Sequence, residues 1–306
     1  MLRRSGKLMS SALTTFLVFG VLFSKCGGSV KALFPIPYNL KEPDRQYVLK
    51  KNLSEVSGLS LVSSNQAVLV QDEAGVLFYF DLGSGNVVKK LQFGKRGDYE
   101  DVQVAGDTAY VLRSDGLLYE LSHFSNGASP AVRTFPTGLT AANNTEGLCY
   151  DERRHRLLIA CKDRAGLEKK KKHERAVYSF DLNDKTLSDT PVVRINVNEL
   201  EKMADGPGFN AIQRIIRYYQ GMQQQDFKPS GLAINPKTQE LYVISSVGNM
   251  LIVMDSTAKL QHSVRLSPYM FKQPEGIAFD TAGNLYVSNE GRKGKGNILK
   301  FSLVKK

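Results

Sequence analysis

Five short motifs, each a Ser or Glu just ahead of a hydrophobic run, recur along the chain: Ser57-Gly58-Leu59, Glu100-Asp101-Val102, Glu146-Gly147-Leu148, Ser230-Gly231-Leu232 and Glu275-Gly276-Ile277. Their spacings are 43, 46, 84 and 45 residues. A period of roughly 40–50 residues with four strand signals per unit marks propeller blades, because one such sheet cannot bury its own faces and must stack on neighbours. The reading is an all-β fold: a five-bladed β-propeller of four-stranded antiparallel blades, with the long interval holding one blade and an insert.

The last repeat shows the unit plainly. Apolar runs at 277–279 and 285–287 flank Asp280, Gly283 and Asn284, which supply the turn chemistry of a hairpin. An antiparallel hairpin then brings Glu275 toward Asn289 and Glu290. Second strands follow at 67–70, 109–112, 157–160, 241–244 and 285–287, and third strands at 76–81, 117–121, 176–182, 251–255 and 298–303. Weaker outer strands fall at 87–93, 132–135, 192–195 and 263–266. The final unit has no outer strand after it. A strand at 46–50 is expected to pair beside it, closing the ring and covering an exposed edge.

The insert, about residues 196–228, changes period. Phe209, Ile212, Ile215, Ile216 and Tyr219 recur at helical spacing after the break Gly206-Pro207-Gly208, and Asn198 is placed to cap a shorter preceding turn. It joins an outer strand to the next inner strand, so it is expected on the same face as the five motifs. It reads either as a helix packed on the rim or as a lid beside the central mouth.

Residues 1–25 read as a signal peptide: Arg3, Arg4 and Lys7, then a short apolar core over 12–23. That core is too short and interrupted for a spanning helix. Cys26, followed by Gly27 and Gly28, resembles the lipidated first residue of a bacterial lipoprotein, although Phe23, Ser24 and Lys25 stand where a small residue is expected. An uncleaved anchor or a plain secretion signal are the other readings. Residues 26–43 form a tether and 44–306 the propeller, which places the protein in the bacterial cell envelope, membrane-anchored through its N-terminus. A monomer is expected.

The net charge is +11, or +7 without Arg3, Arg4, Lys7 and Lys25. Much of it lies in loops: 169–172 with Arg175, and Arg292, Lys293 and Lys295. These are solvated loops or a surface for an anionic lipid headgroup or polysaccharide. No basic stripe interleaved with aromatics is present, so nucleic acid is not an expected partner. If Tyr150 pairs with Leu157, then Cys149 faces Leu158 and Cys161 faces Glu146. The two sulfurs are then offset by roughly 10 Å along the strands, so free, packed thiols are expected.

In their order along residues 45–303, the five motifs resemble those of the SdiA-regulated family, whose members include YjiK-like envelope proteins. The series is Val56-Ser57-Gly58-Leu59, Asp98-Tyr99-Glu100-Asp101-Val102, Thr145-Glu146-Gly147-Leu148-Cys149-Tyr150, Pro229-Ser230-Gly231-Leu232-Ala233 and Gln273-Pro274-Glu275-Gly276-Ile277-Ala278. The resemblance implies a five-bladed propeller with a calcium site and no established activity. The insert departs from that compact pattern.

The residues point to a cation independently. If the blades are equivalent, Glu100, Glu146 and Glu275 alternate with Ser57 and Ser230 around one channel mouth. Crowded carboxylates resist ionisation, and a divalent ion relieves them. Calcium suits an oxygen-only donor set. Glu290, Asn289 and Asp72, with Glu73 beside it, lie at second-strand ends on the same face and are further candidate ligands. In the alternative, each Glu hydrogen-bonds backbone in its own blade. His123, His155, His173 and His262 have no paired spacing for zinc. No Gly-x-Ser-x-Gly elbow occurs, and Gly294-Lys295-Gly296 lacks a phosphate-binding context. Two functions fit: a calcium-stiffened module that binds a ligand or partner at the Ser/Glu face, or a calcium-dependent hydrolase of lactonase or phosphoesterase type. The first is preferred, because no general base accompanies the ring beyond the candidate ligands themselves, which makes catalysis the lesser expectation.

Overall fold

Each of the five inner strands carries one extra residue where its motif begins, and that irregularity sets the geometry of the whole ring. The computed structural model describes residues 36–125, 130–166, 173–204 and 227–304. The leader, Cys26, the 169–172 cluster and the helical pattern at 209–219 lie outside the described residues.

Blade 1 comprises β2 (Val56–Ser63), β3 (Gln66–Gln71), β4 (Ala74–Asp81) and β5 (Asn86–Arg96). Blade 2 comprises β6 (Tyr99–Ala105), β7 (Thr108–Arg113), β8 (Leu117–Ser122) and β9 (Ala131–Pro136). Blade 3 is built from β10 (Thr145–Asp151), β11 (Arg156–Cys161), β12 (Glu174–Asp181) and β13 (Val193–Asn196), and blade 4 from β14 (Lys228–Ile234), β15 (Leu241–Val247), β16 (Met250–Met254) and β17 (Leu260–Arg265). Blade 5 takes β18 (Pro274–Phe279), β19 (Leu285–Asn289) and β20 (Asn297–Phe301), and its outer strand is β1 (Arg45–Val48) from the other end of the chain. The register Arg45↔Lys300 to Val48↔Asn297 is the ring closure expected of the early strand. Inner strands β2, β6, β10, β14 and β18 each pack on the next, and β18 returns to β2.

Apolar residues fill each gap between neighbouring blades. Val70 and Val111 meet between blades 1 and 2, Leu112 and Ile159 between 2 and 3, and Leu158 and Val243 between 3 and 4. Ile244 and Val287 lie between blades 4 and 5, and Leu59 and Ile298 between 5 and 1. A strand covered on both faces is apolar throughout, which is why β15 and β16 read as continuous hydrophobic runs. Outer strands face solvent and are mostly exposed, as in β9. Ile36 and Tyr38 of the segment before β1 are buried between blades 4 and 5, and the Tyr38 hydroxyl donates to the Gly283 carbonyl at 2.7 Å.

The extra residue is a β-bulge. Val56 and Gly58 pair with the adjacent Gln71 and Val70, so Ser57 has no opposite number, and Tyr99 and Asp101 leave Glu100 out in the same way. Pro229 and Gly231 omit Ser230. In blades 3 and 5 two residues, Glu146-Gly147 and Glu275-Gly276, oppose the single residues Ala160 and Ser288. Bulges re-aim side chains, and here they turn the motif residues relative to the strand that follows.

The bulge also moves one sequence expectation. Tyr150↔Leu157 and Cys149↔Leu158 pair as read, but Thr145 rather than Glu146 stands opposite Cys161. Both thiols are buried and free. Two further corrections concern the blade 3 surface. Arg175, read as a loop cation, is buried within β12 and donates to the Glu174 carbonyl. The short helix α1 (Val197–Ala204) follows β13, and its first turn is capped by Asn196, whose Oδ1 accepts the Asn198 N–H at 3.1 Å. Asn198 lies inside the helix because the cap residue must precede the first helical turn. Since Asn196 pairs with Glu174 at the start of β12, the insert leaves blade 3 on the motif face. Among the described residues no helix is long and apolar enough to cross a membrane.

The motif glycines are required by how closely inner strands approach. A Cβ on Gly58 would lie 2.4 Å from Asp101 Oδ1 and 2.6 Å from Asp101 Cα, and one on Gly231 would lie 2.4 Å from the Glu275 carbonyl oxygen. Gly58→Ala is therefore expected to cost about 3 kcal/mol, lowering the melting temperature by roughly 5–10 °C. Chemical denaturation checks this, and a change under about 0.5 kcal/mol would mean the inner strands can part freely.

Candidate functional site

The bulges deliver most of the motif side chains to one pocket of about 150 Å³ at the axial mouth. It is lined by Ser57, Glu100, Glu146 and Glu275, by Asp72 and Glu290 at second-strand ends, and by Glu55, Asp98, Gln273 and Lys162. The three expected glutamates do converge. Seven carboxylates thus face one ammonium.

Burial dominates the electrostatics. It pushes the Glu275 carboxyl up to about 7, with Lys162 pulling the other way. It pushes Glu100 and Glu146 up as well; Glu100 is driven further by the charge of Glu146, whereas Glu146 is held back by Lys162. Asp72 rises to about 6 by burial and then by the charge of Glu55, and Glu290 rises for the same two reasons. Burial alone would lower the Lys162 ammonium. Its contact with Glu146, together with Glu275 and Glu100, outweighs this and raises it.

The serines do different work. Ser57 lines the pocket, but its hydroxyl donates to the Tyr99 carbonyl at 2.8 Å, tying β2 to β6. Ser230 lies outside the lining and donates to the Pro274 carbonyl at 2.7 Å, tying β14 to β18. Asp101 occupies the motif position filled by glycine in the other four blades. Fully buried, it accepts the Leu148 N–H at 2.7 Å across the next gap and the Val102 N–H at 2.8 Å. The Ser57, Ser230 and Asp101–Leu148 bonds connect blades whose inner strands share no ladder.

Asn289 is also outside the lining. It is fully buried, and its Nδ2 donates to Asn297 Oδ1 at 3.0 Å, while its own Oδ1 has no donor among the described residues. Asp72 Oδ1 is likewise buried without a donor, and this residue is on the pocket wall. Glu73 instead pairs with Arg96 at the exposed rim.

Lys162 is the residue that sequence reasoning missed. The rule that selected Asp72 and Glu290, namely the position just after a second strand, also selects Lys162 after β11 and Ser114 after β7. Ser114 donates to Asp98 Oδ2 at 2.5 Å and so helps hold that acid in place. Neither is a carboxylate, so neither carries the sequence signal of a calcium ligand. Elsewhere, Asp107 lies between His123 and Ser125, hydrogen-bonding both. A nucleophilic triad needs the histidine in the middle, so this exposed trio is not one.

No curated protein matches the chain in sequence. Among solved structures, it is similar to the glutaminyl cyclase of Myxococcus xanthus, at 14% identity over 85% of this chain and 94% of that one, with a TM-score of 0.52. It is also similar to the PQQ-bound form of an aldose sugar dehydrogenase from Streptomyces coelicolor, at 10% identity over 85% and 97%, with a TM-score of 0.50. At such identities the likeness shows the propeller fold alone. The SdiA-regulated family model matches residues 209–292, which take in the blade 4 and blade 5 motifs, and its part before residue 227 lies outside the described residues. The chain is thus a five-bladed β-propeller whose residues 209–292 match the SdiA-regulated family model.

Proposed function

We propose that the axial mouth binds calcium and that the propeller is an envelope-anchored module for a ligand or partner on that face. The observation carrying this reading is the surplus of carboxylates, Glu146 buried and Glu100, Glu275, Asp72 and Glu290 half-buried, around a single lysine. The donor set fits the ion: all candidate ligands are oxygens, and Asp72 Oδ1 is buried in the wall without a hydrogen-bond donor. As placed, no three carboxylates, histidines or cysteines among the described residues are near enough together to share an ion. Binding therefore requires Lys162 to leave Glu146 and the side chains of Glu100, Glu146 and Glu275 to close in, with Glu290 and Asp72 next in reach. Calcium would supply the positive charge there that these acids lack. The hydrolase reading gains nothing from the lining, whose described residues include no histidine and whose lysine is already paired with Glu146.

At an affinity of ~10⁻⁴ M and roughly millimolar ion, calcium should stabilise the fold by about 1.4 kcal/mol, a melting shift of a few degrees that EGTA reverses. Glu146→Gln should abolish most of the shift. Isothermal titration with no heat at millimolar calcium would remove the ion from the reading.

The pH dependence has a definite sign. Glu275, Glu146 and Glu100 hold their protons more tightly folded than unfolded, so the native state binds the extra protons and stability falls as pH rises. For Glu275 the fall runs from the ordinary 4.5 to about 7, and the two neighbouring glutamates extend it upward. Without calcium, melting temperature should drop between pH 5 and 8, and Glu100→Gln should flatten the slope. A profile that rises over this range would contradict the proton uptake assigned to the pocket.

Anchoring through lipidated Cys26 belongs to the same proposal, resting on the leader pattern. Labelled palmitate should be incorporated by the full chain and not by Cys26→Ala, whose product should appear in the soluble fraction.

A further inference from the structure

At the opposite end of the blades from the acidic mouth, a cleft of about 570 Å³ opens between blades 3 and 4. Its floor is the lower edge of the apolar cluster between these blades: Leu158, Val193 and Leu241 are nearly buried, while Ile234 is partly covered. The exposed side chain of Val192 extends this surface to the rim. Three arginines line it: Arg153 and Arg154 on the turn between β10 and β11, and Arg156 at the start of β11.

The acids in the wall are already engaged. Asp151 accepts from Arg154 at 3.2 Å and from Arg156 at 3.0 Å, using one carboxylate oxygen for both. Asp255 accepts the Thr257 N–H and hydroxyl and the Lys259 N–H on one oxygen, and Gln261 Nε2 on the other. Glu152, on the same turn as Arg153 and Arg154, is not in the lining. Among the described residues Arg153 has no acidic partner. The cleft thus joins an apolar floor to a guanidinium fork whose geometry suits a carboxylate or phosphate. Its volume is that of a small-molecule site.

The geometry points to a binding site for a small amphiphile with one anionic head, the head on Arg153 and the apolar body continuing the core over Leu158, Val193, Ile234 and Leu241. The site is separate from the calcium reading, because it occupies the far ends of β10 and β14 from Glu146 and Ser230, and no residue of β6 or β18 lines it.

Isothermal titration of the calcium-free protein with dodecanoate, dodecyl phosphate and dodecylammonium, each below its micelle concentration, tests this. One or both anionic probes should bind, and Arg153→Glu should weaken that binding at least tenfold with an unchanged melting temperature. Val192→Asp, at the exposed rim, should weaken it severalfold through the apolar side. Which head binds more tightly separates a fatty-acid ligand from a phosphate-bearing one. The proposal is overturned if neither anion binds, if dodecylammonium binds equally well, or if Arg153→Glu leaves the affinity unchanged.

Discussion

The ring depends on five inner strands meeting at its axis more closely than side chains allow. Adjacent blades share no backbone ladder there, so the contact must be made by small residues and by side chains that bond to the next strand. Gly58 and Gly231 leave room for the neighbouring backbone. Ser57, Ser230 and Asp101 then bridge the gaps to the Tyr99 carbonyl, the Pro274 carbonyl and the Leu148 N–H. A buried hydrogen bond contributes only about 1 kcal/mol net, but an orphaned partner costs more, and this fixes the rotation of one blade against the next. Specificity of closure resides in these bonds, while the apolar clusters between blades supply the bulk of the stabilisation.

The same bulges that let the strands meet also crowd the acids. A residue left without an opposite number is turned away from the pleat, and in three blades that residue is a glutamate directed into a small pocket. Burial there disfavours charge, as the raised carboxyls show. Lys162 answers only part of this, since it pairs with Glu146 and touches the others only through its field. A close ion pair at an effective dielectric of about 20 is worth about 4 kcal/mol, too little to offset several crowded, partly desolvated carboxylates at once. Departures from local consistency of this kind concentrate at functional sites, which is why the pocket rather than the blade cores carries the functional reading.

Much of this was legible from particular residues. The glutamates at 100, 146 and 275 could be placed together because each opens an equivalent strand, and Asp72 and Glu290 because each follows one. Lys162 was equally visible by position and was missed because it has the wrong charge for a ligand. Asn289 and Ser230 stay out of the mouth for different reasons: Asn289 pairs with Pro274 beside a bulge and its side chain enters the blade packing, whereas Ser230 is itself the bulged residue and its hydroxyl is held by the Pro274 carbonyl. Asn196 and Asn198 show the same sensitivity at a helix start, where a shift of two residues changes a cap into a helical position.

By itself the sequence determined the number of blades, the closure by an early strand and the separation of the two thiols. These follow from the order and period of apolar runs, which survive an error of one residue. Only the tertiary structure decided which side chains reach the axis, that a lysine sits among the acids, and that blades 3 and 4 leave an arginine-rimmed cleft. In a strand, side-chain direction has a period of two, so one bulged residue reverses every direction beyond it. Periodicity in the chain cannot register that reversal; the pairing of one strand against another can.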